Sequence, residues 1–385
     1  MGRFRDALSA SGLQGIAEVK RRSPSAGELR VGADPAELAA SYQRAGAAAV
    51  SILVDARFGG SWDDLRAARS AASLPLLAKG FFSTDVDLRV AREAGADAAL
   101  LILRDLDDKT ARGLLAVAAD LGLDTLVEAH DAEELARAAR LDAPVIGINA
   151  RDLATFAIDR RAQLWLVASS PRDRIIVAES GIESRAQGAV AELAGADAIL
   201  VGSALMRASD PAQKLSELLS RPLVKVCGLT RVEDVAAAVE AGADMAGFVL
   251  AEGSPRRASG VLQVPDTMLA VAVEVGEPSG EEADLVQLYP HEEGKVRGRD
   301  AALLLDGREV AKVLDLPWGE NDPAHLERAR TAKGRIMLAG GLGPDNVRAA
   351  IDAVRPWAVD ASSALESAPG VKDHDLIRCY VMAAR

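Results

Sequence analysis

Cysteine is almost absent from this 385-residue chain. Its two copies, Cys227 and Cys379, lie far apart and offer neither a disulfide framework nor metal-ligand spacing. Aromatic residues are scarce, at 3%, which removes the stacking platforms that hold single-stranded nucleic acids. Positive charge is in deficit: the formal net charge is -12, whereas phosphate backbones need a basic face. No apolar run reaches the roughly 18–20 residues of a membrane span. The opening residues "MGRFRDALSASG" lack the apolar centre of a secretory signal. No glycine-rich dinucleotide fingerprint follows the first strand-like run. These absences argue against nucleic-acid and membrane partners. They lead us to expect no metal site and a cytoplasmic location, and they leave the oligomeric state open, a monomer being compatible with the sequence.

Hydrophobic residues make up 49% of the chain and charged residues 26%, which suffices for a buried core, and the length suits two domains. A repeat runs through it. "AGAAAV" begins at Ala45, "AGADAAL" at Ala94, "AGADAIL" at Ala194 and "AGADMAG" at Ala241. Each copy follows an alanine-rich amphipathic run and precedes an apolar one. That order reads as helix, glycine just past the helix end, then buried strand.

Short apolar runs alternating with helical patterns indicate a parallel sheet. The first half holds eight: "GIAEVK", "AVSILVD", "PLLAKGF", "AALLIL", "DTLVEA", "PVIGIN", "RIIVAES" and "DAILVGS". Eight strand–helix units in this length close naturally into a (β/α)8 barrel. The pattern restarts near Pro222 with "PLVKVCGLT", "DMAGFVLAEGSPRR", "MLAVAVEV", "ADLVQLY", "AALLLDG", "RIMLAGGL" and "PWAVDASSALE". The expected fold is therefore α/β, two tandem (β/α)8 TIM barrels over 1–221 and 222–385. The second gives only seven strands, and 276–307 is too short for full crossovers, so that barrel is expected to be shortened or irregular.

Chemistry in such barrels sits at the carboxyl ends of the strands. In the first half those ends carry Glu18 and Lys20, Lys79, Glu128, Asn149 followed by Arg151, Glu179-Ser180-Gly181, and Gly202-Ser203. Two lysines and three carboxylates converging on one mouth are the materials of general acid–base catalysis. The small-residue turns "AESGI" and "VGSALM" suit a phosphate held by backbone N–H groups. In the second half "AGGLGPDNV", with Gly340 and Gly341, and "DASSALESAPGVKD", with Asp360, Ser362 and Ser363, occupy the corresponding positions. Cys227 ends the first strand there, Arg256 follows the second and Asp306 ends "LLLD". A lone buried cysteine is usually core, but at a strand end its thiolate could serve as a base.

These residues carry a resemblance. "IAEVKRRSPSAGEL", "LAKGFF", "LLIL", "LVEAH", "GINARDL", "AESGI" and "VGSALM" resemble, in order, the motifs of indole-3-glycerol phosphate synthases. "KVCGLT", "GFVLAEGSPR", "VQLY", "LLLD", "AGGLGPDNV" and "DASSALESAPGVKD" resemble phosphoribosylanthranilate isomerases. The whole is similar to fused bifunctional enzymes of tryptophan biosynthesis. The resemblance implies small phosphorylated anthranilate–ribose substrates, an Amadori isomerisation in the second barrel, and ring closure with loss of CO2 and water in the first, with neither step needing a metal or an organic cofactor.

It also implies roles. Lys79 would protonate the carbonyl oxygen, with Glu18, Lys20 and Glu128 serving the dehydration. Asn149 would orient the ring substituents, and Arg151 would hold the substrate carboxylate. Ser23, Pro24, Phe81, Leu101, Glu179, Ser180, Gly181, Gly202 and Ser203 would line the site or hold phosphate. In the second barrel Cys227 would be the base and Asp306, 33 residues before Ala339, the acid, with Asp315 as its rival. Arg256 would meet the anthranilate carboxylate, and Gly340, Gly341, Asp360, Ser362 and Ser363 would complete the site. The alternative is a synthase whose second barrel only binds or scaffolds. Three departures stand out: about fourteen residues precede the first strand where the family usually has a few dozen more, Gly80 replaces a usual Asp, and Tyr289 replaces a usual His.

Overall fold

Each apolar run of the first half becomes one barrel strand. In the computed structural model, which describes residues 2–23, 27–152, 155–291, 298–316 and 322–385, these are β1 (Gln14–Val19), β2 (Ala49–Leu53), β3 (Leu76–Lys79), β4 (Ala98–Ile102), β5 (Asp124–Ala129), β6 (Val145–Asn149), β7 (Ile175–Glu179) and β8 (Ala198–Val201). They close in sequence order into an all-parallel barrel, β8 pairing back onto β1. The glycines of the repeat sit where expected: Gly46, Gly95 and Gly195 follow helices with φ of 87°, 100° and 124°, a backbone that side chains disfavour. Helices begin on side-chain caps. Asp34 accepts from the Ala36 N–H, and Thr84 and Asp87 cap each other reciprocally.

The barrel interior is filled by Ile16, Ala49, Leu77, Ala98, Leu100, Ile102, Leu126, Val145, Val177, Ala198 and Leu200. Phe4 and Leu8, both 0% exposed, join that cluster from the helix Arg3–Leu8. The short segment before β1 is thus tied to the amino-terminal side of the strands, where the Arg5 N–H donates to Asp124 at the start of β5.

The second barrel comprises β9 (Leu223–Cys227), β10 (Met245–Val249), β11 (Leu269–Val275), β12 (Leu285–Tyr289), β13 (Ala301–Leu305), β14 (Arg308–Leu314), β15 (Ile336–Leu338) and β16 (Ala358–Ala361). It also closes in sequence order, but β13 runs antiparallel to both its neighbours. The eighth strand absent from the sequence reading is β14, whose polar "REVAKVL" hid it. It joins β13 through Asp306-Gly307, with φ of 47° and 74°, the signature of a tight hairpin. A hairpin needs no crossover helix, which explains the missing length.

By its contacts the chain divides into Met1–Glu183 with Gly188–Leu219, and Ser184–Gln187 with Ser220–Arg385. No helix among the described residues is long and apolar enough to cross a membrane.

Candidate active sites

Side chains in these barrels stack in layers contributed by alternate strands. At the carboxyl end of the first barrel the odd strands supply Glu18 (β1), Lys79 (β3), Glu128 (β5) and Glu179 (β7). Three of these are joined through Lys79, whose Nζ lies 2.8 Å from Glu179 Oε2 and 3.3 Å from Glu18 Oε2. Lys20, just past the end of β1, reaches Glu18 Oε1 at 2.7 Å. All three carboxylates are buried, and buried charges persist only when paired.

The pairing decides which groups stay charged. Burial opposes the charge on Glu18, but Lys20 and Lys79 outweigh it and hold the carboxyl down at about 2. Burial likewise opposes the Lys79 ammonium, and Glu179, Glu18 and Glu128 hold its proton above the ordinary lysine range. Glu179 behaves differently. Burial dominates there, with Glu128 and Glu18 adding to it against Lys79, and its carboxyl rises to about 7.

Above this layer lies a cavity of about 310 Å3, lined by Glu18, Lys20, Ser23, Lys79, Phe81, Glu128, Asn149, Arg151, Ser180, Gly181, Gly202 and Ser203 among others. Phe58, Phe81, Phe156, Leu100 and Ile102 give it an apolar wall. Ser180 and Gly181 hold successive left-handed conformations, φ 68° and 69°, in the loop after β7. Asn149 Oδ1 accepts the Arg151 N–H at 3.0 Å, just after β6. Pro24 lies outside the described residues.

Leu101 does not face this cavity. Side chains alternate along a strand; Leu100 and Ile102 point in, while Leu101, buried at 1% exposure, is absent from the lining. Gly80 has no room for the carboxylate expected there. A Cβ would stand 2.7 Å from the Phe82 ring and 3.2 Å from Val54, and Phe82 is fixed by stacking on Trp62.

In the second barrel Cys227 is buried at the end of β9, two residues from Lys225, so both point inward. Lys225, 0% exposed, reaches Asp360 Oδ2 on the adjacent β16 at 2.9 Å. Burial pushes the Cys227 thiol up against the pull of Lys225. Burial also raises Asp360, with Asp315 contributing against Lys225. Arg256 Nε donates to both oxygens of Glu366, at 2.9 and 3.0 Å, and Glu366 Oε1 also takes Lys372 Nζ at 2.9 Å. A Cβ on Gly228, just after Cys227, would stand 2.8 Å from Ser362 Oγ and 3.1 Å from Arg256 Cδ, so these groups share one rim. Gly340 and Gly341, with φ of 90° and 68°, repeat after β15 the left-handed pair seen after β7. Ser363 opens the short 3-10 turn after β16.

Asp306 is not in this cluster. It is exposed in the hairpin turn, and because β13 runs antiparallel that turn lies at the amino-terminal end of β12, away from Cys227. Asp315, following β14 at 6% exposure, stands at the opposite end, where Tyr289 Oη donates to its Oδ2 at 2.7 Å. Gln287 Nε2 in turn donates to Tyr289 Oη at 2.7 Å. The tyrosine that replaces the family's histidine therefore orients Asp315. The sequence reading missed Lys225, Glu366, Lys372 and His130. Lys225 left a signal: a lysine inside "LVKVC" must find a buried partner.

Residues 2–218 match the family model of indole-3-glycerol phosphate synthase, and 303–383 that of N-(5'-phosphoribosyl)anthranilate isomerase. The chain is 35% identical over 420 residues to the Yersinia pestis "Tryptophan biosynthesis protein TrpCF", covering 99% of this chain and 87% of that one. It is 31% identical to a "Multifunctional tryptophan biosynthesis protein" of Phycomyces blakesleeanus, covering 96% of this chain and 62% of that longer protein. Over 53% of this chain it is 48% identical to the indole-3-glycerol phosphate synthase of Leptothrix cholodnii, covering 79% of that protein.

Proposed function

Because the chain belongs to the indole-3-glycerol phosphate synthase family and continues into a phosphoribosylanthranilate isomerase domain, we propose that its barrels run two successive steps on one phosphorylated anthranilate–ribose skeleton. The second barrel isomerises N-(5-phosphoribosyl)anthranilate to 1-(2-carboxyphenylamino)-1-deoxyribulose 5-phosphate. The first closes that ketone onto the aromatic ring, releasing CO2 and water to give indole-3-glycerol phosphate.

The observation that carries the synthase reading is the placing of Lys79 among carboxylates at the cavity floor. Ring closure builds charge on the ketone oxygen, and a buried, pre-oriented ammonium stabilises it by donating a hydrogen. Glu18, Lys20 and Glu128 surround the carbon that later loses hydroxide. One takes the ring proton while another protonates the departing oxygen. Arg151 offers its guanidinium to the carboxylate until CO2 leaves, and the phenylalanine wall takes the aromatic ring. The loops after β7 and β8 hold the phosphate.

In the isomerase, an acid opens the furanose and a base then moves the C2 proton of the resulting imine. Cys227 takes the base role; burial raises its thiol, and Lys225 is the charge that draws it back toward the thiolate. We assign the acid to Asp315 rather than Asp306, because Asp315 shares the carboxyl end with Asp360. Arg256 is positioned for the anthranilate carboxylate, with Glu366 holding the guanidinium in place.

The test assays both reactions on the full chain. Lys79→Ala should abolish indole formation and spare isomerisation; Cys227→Ala should do the reverse. A wild-type protein without isomerase activity would reduce the reading to a synthase with a non-catalytic second barrel.

A further inference from the structure

One buried charged side chain at the first mouth has no part in the chemistry above. His130 lies just beyond β5, and its side chain is 3% exposed. Its Nε2 stands 3.2 Å from Glu128 Oε1 and its Nδ1 3.0 Å from Glu134 Oε2. Ionised carboxylates accept and do not donate. Nδ1 is hydrogen-bonded to Glu134 and so carries hydrogen; Nε2 makes no hydrogen bond, and its 3.2 Å approach to Glu128 is the contact of a charged ring with a carboxylate. The His130 backbone N–H donates to the same Glu134 oxygen at 2.8 Å, holding that carboxylate against the ring. Glu134 is itself 3.4 Å from Arg104.

The charges of the mouth require the same answer. Glu18 is paired with Lys20 and Lys79, and Glu179 with Lys79. Among the described residues the cation in ion-pair contact with Glu128 is His130. Without it, Glu128 would be a buried carboxylate beside a second one, Glu179, with no ion-pair partner among the described residues.

Building on the synthase reading, we propose that His130 is a positioning residue for ring closure and dehydration. Held as an imidazolium by its hydrogen bond to Glu134, with Nε2 against Glu128, it clamps the Glu128 carboxylate in its charged form. Glu128 Oε2, buried without a hydrogen-bond partner, is left for the substrate.

The groups facing His130 are Glu128 on β5 and Glu134 on the helix Ala132–Arg140, with Lys79 and Asn149 beyond Glu128 and Arg104 beyond Glu134. Burial opposes the ring's charge, but the two carboxylates hold its proton on up to about 9. The clamp is intact at neutral pH and is lost as pH rises through that value.

The experiment measures synthase kcat and KM against pH on the full chain, with isomerase activity in the same sample as reference. His130→Gln should lower synthase kcat roughly a hundredfold, the scale expected when a catalytic group is misplaced by about 1 Å. KM and isomerase activity should stay within about twofold, and the alkaline limb near 9 should vanish. Glu134→Gln removes one of the two anions, so it should move that limb to lower pH. Wild-type kcat and pH profile in His130→Gln, or an unmoved limb in Glu134→Gln, would overturn the proposal. A wild type without synthase activity would overturn the underlying reading and this proposal with it.

Discussion

The two mouths solve one problem with different geometry. In the first barrel every strand is parallel, so every carboxyl end reaches the rim, and the reacting layer is drawn from four alternate strands. In the second the reversal of β13 withdraws one carboxyl end from the rim. The charged groups gather instead on the adjacent β9 and β16 and the loops beside them, with Asp315 coming from β14. Strand direction, rather than the number of apolar runs, decides which side chains can take part.

The sharpest way to break this comparison is to remove the two rival carboxylates. Asp315→Asn should cut isomerase turnover by about a thousandfold, within the range of losing a general acid. Asp306→Asn should leave it within about twofold, since an exposed turn residue lies outside the cluster, and synthase activity should move in neither variant. Steady-state kinetics of both reactions decide the matter, and the opposite ranking would return the acid role to Asp306.

Bare glycines make a second, symmetrical probe. A Cβ on Gly202 would stand 2.3 Å from Glu18 Oε1, and one on Gly247 would stand 2.8 Å from Cys227 Sγ and 2.9 Å from Lys225 Nζ. Each glycine keeps open the space its neighbour's reacting atom fills. Gly202→Ala should therefore cost the synthase about a hundredfold, and Gly247→Ala should cost the isomerase a similar factor, each leaving the other reaction alone.

What could be read from the sequence follows the same divide. The eight parallel strands announced themselves as apolar runs, and Glu18, Lys79 and Glu128 stood out because a charge closing such a run must face something polar. Leu101 faces away from the cavity, which the sequence does not reveal because "AALLI" is apolar on both faces and alternation has no visible phase. Asp306 lies outside the cluster because it sits in a hairpin, which its Asp-Gly signals but which the surrounding pattern of parallel strands masks. His130 was invisible as chemistry, since its meaning lies in Glu134, which only the turn into the next helix brings beneath it.

Acid should distinguish the barrels more gently. Glu18 is held at about 2 against an ordinary 4.5, so its stabilisation is present above 4.5 and drains away as pH falls toward 2. Asp360 is raised from 3.8. The folded state then binds its proton more readily than the unfolded, and its contribution is present at low pH and lost as pH rises. Hydrogen-exchange protection should fall with acid in β1 more steeply than in β9, and Glu18→Gln should flatten the β1 slope. Equal slopes would show that the two carboxyls are not in the opposed environments described.

Gly80 supplies the smallest effect. If the missing carboxylate beside Lys79 were a deficiency, restoring it with Gly80→Asp would raise synthase activity. The geometry argues otherwise: Lys79 already has Glu18 and Glu179, and the new Cβ would press on Phe82, itself held by Trp62. The substitution should destabilise the first barrel by about 1–3 kcal/mol through overpacking, read as a lowered melting temperature. Synthase kcat should not rise, because the ammonium is already fixed. A Gly80→Asp enzyme that is both faster and as stable would mean that Phe82 yields freely and that Lys79 is less fully anchored than its two ion pairs indicate.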